Sequence, residues 1–455
     1  MALLLPLLAP PPALLYQIPL PKFNLHSYTV ESNSMGKLLP PQFEALQRLQ
    51  VFFETYQTGR IGLISMPTGS GKSGIISCLP YFLGKSGLNP PPALQVQGAS
   101  QLPYGEPLHR FDKPVLIIAP DLTIASQLEA TVLVSADAPD ENFLLRRNIV
   151  PEEAQHVLPM GVKIQETSHV QNPLFLGSNE VIIANAQKFL KDNWENALRD
   201  DIFKLVIIDE AHHHPASTWR RIVQKFKTHA MVVFFTATPF RGDGKPVLGV
   251  DEGEVVYHLS LKEARERRII RRIKWVTCTL QCSVPVALSS IFTQILEQVE
   301  LIQQAKNFGN PLPGNVPHMA IAITENIAYA VQVRDMWNFR WGIGSAIAYN
   351  SDVPKKLNQA MMQAIRSNSV KLVVVVGQLL EGFDHPPISI AAIMTKIVSR
   401  VKFAQFIGRA QRIVHGITGP ESVNIFADVI THSYFQQEGN IQQFETPVIT
   451  VDELW

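Results

Sequence analysis

From about residue 37 the chain repeats one rhythm: a short, largely unbroken apolar run, a stretch with helical spacing, then another apolar run. Runs at 62–66, 115–119, 181–184, 205–208 and 231–235 form one series, and runs at 318–323, 344–348, 372–376, 388–393 and 422–427 form a second. In the first series none alternates apolar with polar residues, as a strand with one wet face would, so each predicts a strand covered on both faces. Such strands separated by helical stretches predict parallel βαβ units. The fold class expected is therefore α/β, with two parallel sheets in tandem.

Breaks in the rhythm divide the chain. Residues 1–36 read as a Pro-rich leader, because the apolar N-terminal run has no basic start and is interrupted by Pro6, Pro10, Pro11 and Pro12. Residues 37–258 read as a first domain, with a Pro-, Gln- and Gly-rich surface insertion at about 89–114. A linker is expected at 259–285, opening with a helix over 259–274 in which six of the ten residues 265–274 are basic. Residues 286–446 read as a second domain and 447–455 as a tail.

Hydrophobic residues make up 46% and charged residues 17% of the 455, a balance that builds cores and argues against disorder. Forty basic against 39 acidic residues leave a formal charge of +1, which excludes a global positive field that would gather polyanions. Any nucleic-acid contact must be local. Three cysteines, Cys78, Cys278 and Cys282, are too few to staple the chain, and no later apolar stretch nears the ~20 residues that span a bilayer. These features predict a soluble intracellular protein with no membrane partner, in cytoplasm or nucleus.

After the run at 62–66 comes Pro67-Thr68-Gly69-Ser70-Gly71-Lys72-Ser73 and then a helical stretch. Strand, glycine loop, Lys-Ser and helix are what a phosphate cradle needs: glycines turn backbone N–H groups inward, the helix start adds its positive end, Lys72 reaches the β- and γ-phosphates, and Ser73 binds Mg²⁺. The general pattern wants glycine at 66, where Met66 stands. The run at 205–208 delivers Asp209-Glu210-Ala211-His212 at a strand's C-terminal end, the edge where open α/β sheets bind ligands. Asp209 can hold Mg²⁺ and Glu210 can polarise an attacking water. The imidazoles of His212, His213 and His214 are adjacent, so they do not read as a metal site.

Four ordered motifs, PTGSGKS at 67–73, DEAH at 209–212, TATP at 236–239 and QFIGRAQR at 405–412, resemble those of superfamily 2 DEAD/DEAH-box helicases. Within these, the likeness is to the group related to the motor subunit of type III restriction enzymes. The resemblance implies two tandem RecA-like P-loop domains with an ATP cleft between them, ATP and Mg²⁺ as cofactors, and ATP hydrolysis by a helicase or translocase. It implies that Gln42 reads adenine, although Leu39 stands where the family has arginine. Thr68, Gly69, Ser70 and Gly71 would line the phosphates beside Lys72 and Ser73. His212, Thr236 and Thr238 would relay nucleotide state to the nucleic-acid side.

From the second domain, Gln405, Arg409 and Arg412 would face the same nucleotide. Spacings of three and four put Gln405, Gly408, Arg409 and Arg412 on one helix face, and an arginine aimed at the γ-phosphate stabilises transition-state charge. EGFDHP at 381–386 resembles the motif whose Gly382 and Asp384 contact nucleotide across the cleft. Weaker likenesses mark Thr123, Gln127, Gly177, Ser178 and Thr324 as contacts to a nucleic-acid backbone. DNA is favoured over RNA on the restriction-motor likeness, and a nuclease or targeting subunit is a candidate partner. A nucleotide-dependent clamp without productive unwinding is the alternative. The second sheet with its QFIGRAQR motif argues against a metabolic or signalling P-loop enzyme.

Overall fold

The computed structural model describes residues 38–56, 58–82, 113–135, 141–147, 149, 158, 161–190, 194–212, 216–237, 247, 253–279, 287–309, 312–350, 353–376, 385–414 and 425–446. Thr238, Gly382 and Asp384, His213 and His214, Cys282, the leader, the tail and most of the 89–114 segment lie outside these residues.

The first sheet has seven parallel strands: β1 (Ile61–Ser65), β2 (Val115–Ala119), β3 (Gly161–Lys163), β4 (Val181–Asn185), β5 (Leu205–Ile208), β6 (Met231–Thr236) and β7 (Gly253–His258). Their order is β3-β4-β2-β5-β6-β1-β7, so β1 sits between β6 and β7, and β5 lies beside β6. Helices α1 (Pro40–Tyr56), α2 (Lys72–Phe82), α3 (Leu122–Val132) and α4 (Ala216–Phe226) cover it. Side chains of β2 divide by pleat: Val115, Ile117 and Ala119 join the core under α1, α2 and α3, while Leu116 and Ile118 join the core under α4. Burial on both faces is why the strand sequences are continuous apolar runs.

The short helix α5 (Leu261–Glu266) leads to the second sheet, whose six parallel strands are β8 (Arg272–Cys278), β9 (Met319–Thr324), β10 (Ala346–Tyr349), β11 (Leu372–Val376), β12 (Ile388–Met394) and β13 (Phe426–His432), in the order β10-β11-β9-β12-β13-β8. Helices α6 (Leu288–Gly309), α7 (Ile327–Trp341), α8 (Lys355–Arg366), α9 (Arg400–Ala410) and α10 (Glu438–Glu445) surround it. Along β9, Ala320 and Ala322 pack towards α6 and α7, and Met319, Ile321 and Ile323 pack towards α8 and α9.

The two α/β sheets agree with the sequence, but the connection differs. The basic helix expected over 259–274 stops at Glu266, because Arg268 takes a left-handed φ of 57° that a helix cannot continue through. Ile269 and Ile270 then turn into the first domain's core, and residues 272–278, expected within the linker, form the edge strand β8 instead. The last strand starts at Phe426, later than the 422–427 expectation, where Ala427, Val429 and Ile430 supply the buried side chains. Among the described residues, no helix is long and apolar enough to cross a membrane.

Candidate active site

The phosphate loop follows β1 at the C-terminal edge of the first sheet. Gly69 and Gly71 take φ values of 86° and 98°, open to glycine at no cost, which lets the chain curl back before α2 begins at Lys72. Ser70 is buried and closes the curl, its N–H and Oγ donating to Pro67 O at 3.2 and 2.6 Å. Lys72 Nζ donates to Met66 O at 3.1 Å and stands 3.7 Å from Glu210 Oε1. Met66 in place of glycine is tolerated because its side chain points into the core, fully buried with Ile64 and Ile75. Ser73 is exposed at the first turn of α2.

Gln42 lies on α1, buried against the loop. Its Nε2 donates to Gly71 O at 2.8 Å and its Oε1 accepts from Leu39 N at 2.8 Å. A Cβ on Gly71 would fall 2.5 Å from Gln42 Nε2, so glycine there makes room for the amide. In this conformation Gln42 ties α1 to the phosphate loop.

At the end of β5, Glu210 takes φ 46°, a left-handed conformation that a non-glycine residue adopts at a cost. The turn is held by Glu210 N–H donating to Asp209 Oδ1 at 2.9 Å and by Ala211 N–H donating to Phe235 O at 2.9 Å. It aims Glu210 at Lys72 on one side and at His212 Nδ1, 3.5 Å away, on the other. Asp209 is 5% exposed; burial, seconded by the Glu210 carboxylate and opposed by Lys72, lifts its pKa to about 7. Ser73 and Asp209 offer an alcohol and a carboxylate oxygen, the hard donors Mg²⁺ takes, so the residues fit that ion. Among the described residues no group of three or more His, Cys, Asp or Glu side chains is placed to hold a metal ion.

His212 is buried with Nδ1 2.8 Å from Thr236 Oγ1, at the end of the adjacent strand β6, and Nε2 3.3 Å from Gln405 Nε2 on α9. The two domains therefore meet at this histidine. They meet again at the phosphate loop: a Cβ on Gly408 would lie 2.9 Å from Thr68 Cβ, and a Cβ on Gly69 would lie 2.7 Å from Arg412 Cγ. Glycine at 408 lets α9 settle on Thr68, and glycine at 69 lets the Arg412 stem lie on the loop. Arg409, next to Gly408, is 8% exposed. Arg412, expected on one helix face with Gln405, Gly408 and Arg409, instead follows the end of α9 at Ala410 and bridges to Ile270, so residues at the ends of β1, β5 and β6, on α9 and in the turn after it form one site.

Residues 35–241 match the family model described as "Type III restriction enzyme, res subunit". That match lies in the first domain, and through it the chain is similar to superfamily 2 helicases of the ResIII type. Over 248 residues, 52% of this chain, it is 23% identical to a Saccharomyces cerevisiae protein named "Putative ATP-dependent helicase IRC3". That alignment spans 36% of the yeast protein's length. The fold matches the Mycobacterium smegmatis helicase Lhr bound to ssDNA and AMP-PNP, with a TM-score of 0.56, 15% identity, and coverage of 91% of this chain and 47% of Lhr. It also matches a Saccharomyces cerevisiae Dbp5 variant bound to RNA and ADP BeF3, with a TM-score of 0.55, 13% identity, and coverage of 93% and 96% of the two chains. The architecture is thus tandem RecA-like.

The residues that the helicase resemblance marks for nucleic-acid contact differ in their surroundings. Thr123 and Gln127 lie on α3, whose start is capped by Asp121 accepting from Ile124 N–H at 2.8 Å. Gly177 ends the short helix Pro173–Gly177, and Ser178 Oγ donates to Phe175 O at 2.8 Å, so these two stand at a carbonyl end, which attracts cations more than phosphates. Thr324, 1% exposed, donates Oγ1 to Val375 O at 3.3 Å and to Asn326 O at 3.2 Å. One site residue escaped the sequence altogether: Arg271, fully buried behind Arg412. Its only signal was the basic run, which reads as a solvated face.

Proposed function

We propose that the chain is an ATP-dependent nucleic-acid motor, a helicase or translocase that moves on DNA in preference to RNA. The observation that carries this reading is the cross-cleft assembly: Gln405 against His212, Gly408 on Thr68 and Arg412 on Gly69. A nucleotide-binding scaffold needs the loop alone, whereas a motor needs hydrolysis to depend on contact between two bodies.

In this reading the loop from Thr68 to Ser73 would bind the phosphates of ATP, with Lys72 as their charge partner and Gln42 steadying the loop from α1. Ser73 and Asp209 would hold Mg²⁺, which when bound neutralises phosphate charge. Glu210, held by its left-handed turn, orients a water and takes its proton. Arg409 and Arg412 offset charge developing on the transferred phosphoryl group, and they reach it only while α9 rests on Thr68. Gly382 and Asp384, just before His385, and Thr238, just after the Thr236 strand, are assigned nucleotide and relay roles by their motifs alone.

His212 reports whether Gln405 is present and passes that state through Thr236, so closing and hydrolysis are linked. A strand gripped by both domains would be displaced each cycle. Of the residues marked for that grip, Thr123 and Gln127 on α3 remain candidates, and a nuclease or targeting subunit is the candidate for its output. The test is steady-state ATP hydrolysis with single- and double-stranded DNA and RNA, with Glu210→Gln as the blank. DNA-stimulated turnover is expected; turnover indifferent to every polymer overturns the motor reading.

A further inference from the structure

Arg271 lies between α5 and β8, with 0% of its surface exposed. Burial lowers its pKa to about 9, above neutrality, so the guanidinium is charged under ordinary conditions. Its guanidinium bonds to backbone carbonyls. Nη1 donates to Ala410 O at 3.1 Å, to Ile388 O at 2.8 Å and to Pro386 O at 3.1 Å, and Nη2 donates to Pro386 O at 3.1 Å. Its own backbone is locked as well, because Arg271 N–H donates to Gln411 O at 2.6 Å and Gln411 Nε2 donates back to Arg271 O at 3.1 Å. Next to it, Ile270 forms an antiparallel bridge with Arg412.

The three carbonyls belong to segments with one thing in common. Ala410 O is a last-turn carbonyl of α9, without an intrahelical partner and at the negative end of the helix, where a cation is favoured. It lies between Arg409 and Arg412. Pro386 O closes the 381–386 motif and Ile388 O opens β12 two residues later. Nη1 alone meets all three carbonyls and Nη2 adds a second bond to Pro386 O, a reach that the shorter lysine side chain, with one terminal nitrogen, does not have. Ile270, one residue earlier, is in the first domain's core, so the weld sits where the connector leaves that domain.

We propose that Arg271 is a positioning residue for hydrolysis: it fixes the C-terminal end of α9 to the connector and so sets where Arg412, just beyond that end, stands when the cleft closes. This rests on the motor reading above, and specifically on Arg412 acting in turnover. Misplacing a catalytic group by about an ångström can cost roughly 100-fold in rate without loss of binding. Arg271→Lys keeps the buried charge but ends one bond short of the Nη1 position and lacks the second nitrogen that bonds Pro386 O. It should therefore lower kcat about tenfold or more while leaving the Kd for ATP within about threefold of wild type.

The deciding experiment is a double-mutant cycle on DNA-stimulated kcat, with ATP affinity and thermal melting measured for each protein. Arg271→Lys, Arg412→Ala and the double variant are compared with wild type. If Arg271 acts through Arg412, the double variant turns over like Arg412→Ala alone. Losses that multiply, or a rise in the Kd for ATP matching the fall in kcat, overturn the positioning role while leaving the motor reading intact. Wild-type turnover by Arg412→Ala contradicts the motor reading and the positioning role with it. Gln411→Ala, which cuts the reciprocal bond without touching the buried charge, should reproduce the kcat-only loss, and its failure to do so counts against the weld even if Arg271→Lys does not fold.

Discussion

Asp209 shows how a single residue's surroundings set its chemistry. Burial, and then the Glu210 carboxylate, raise its pKa from 3.8 to about 7, so Asp209 is protonated below that pH and ionised above it. Two consequences carry opposite signs. The folded chain holds a proton that the unfolded chain gives up near 4, so this residue's stability contribution is full at low pH and lost as pH rises through 7. Mg²⁺ binding needs the ionised carboxylate, so Mg²⁺ should raise the melting temperature more at pH 8 than at pH 6. Asp209→Asn should flatten that dependence; a Mg²⁺ shift equal at both pH values in wild type would contradict the assignment. At the next residue, Glu210→Gln should keep ATP binding and lose turnover by roughly 100-fold or more, the usual contribution of a general base.

At the scale of elements, close packing does what charge does at the scale of residues. α9 reaches the phosphate loop because residue 408 has no side chain, and a methyl there would meet Thr68 Cβ at 2.9 Å. Gly408→Ala should cost closure about 1–3 kcal/mol, roughly a 5- to 150-fold loss of turnover, with the first domain's ATP affinity preserved. Fluorescent-nucleotide binding beside turnover checks this, and equal loss of both would mean that α9 supports folding only. Much of this architecture was legible in the chain. The strands β2, β5 and β11 announce themselves because both faces are buried and only apolar residues serve. The edge strands β7 and β8 did not, since GEVVYH and RIKWVTC are half exposed and mix charged with apolar residues. The glycine loop and DEAH turn were readable as local motifs. The left-handed Glu210, the Gln42 clasp and the Arg271 weld were not, because each is decided by carbonyls and side chains that only the fold brings near.

For the whole molecule, α5 acts as a strap with one hand on each domain. Arg267 pairs with Glu44 on α1, with Nη1 2.9 Å from Oε2, and Arg265 pairs with Glu445 on α10 at 2.7 Å and lies over the Phe444 ring. Glu44 is two residues from Gln42, so the strap joins the clasp on the phosphate loop to the far side of the second domain. These pairs are partly exposed, and such pairs are worth about 0–1 kcal/mol each. Glu445→Gln should therefore leave the melting temperature nearly unchanged while loosening the domains, read as weaker contraction on ATP-analogue binding by small-angle scattering. A large loss of melting temperature would mean that the strap holds the fold together and does not tune the cleft. The central claim is that hydrolysis requires the second domain's arginine on the first domain's loop. Single-turnover ATP hydrolysis by wild type and Arg412→Ala, with ATP affinity measured on the same samples, tests it most directly. Loss of the chemical step by roughly 1000-fold with unchanged affinity is the predicted result, and an Arg412→Ala protein that hydrolyses bound ATP at the wild-type rate would contradict it.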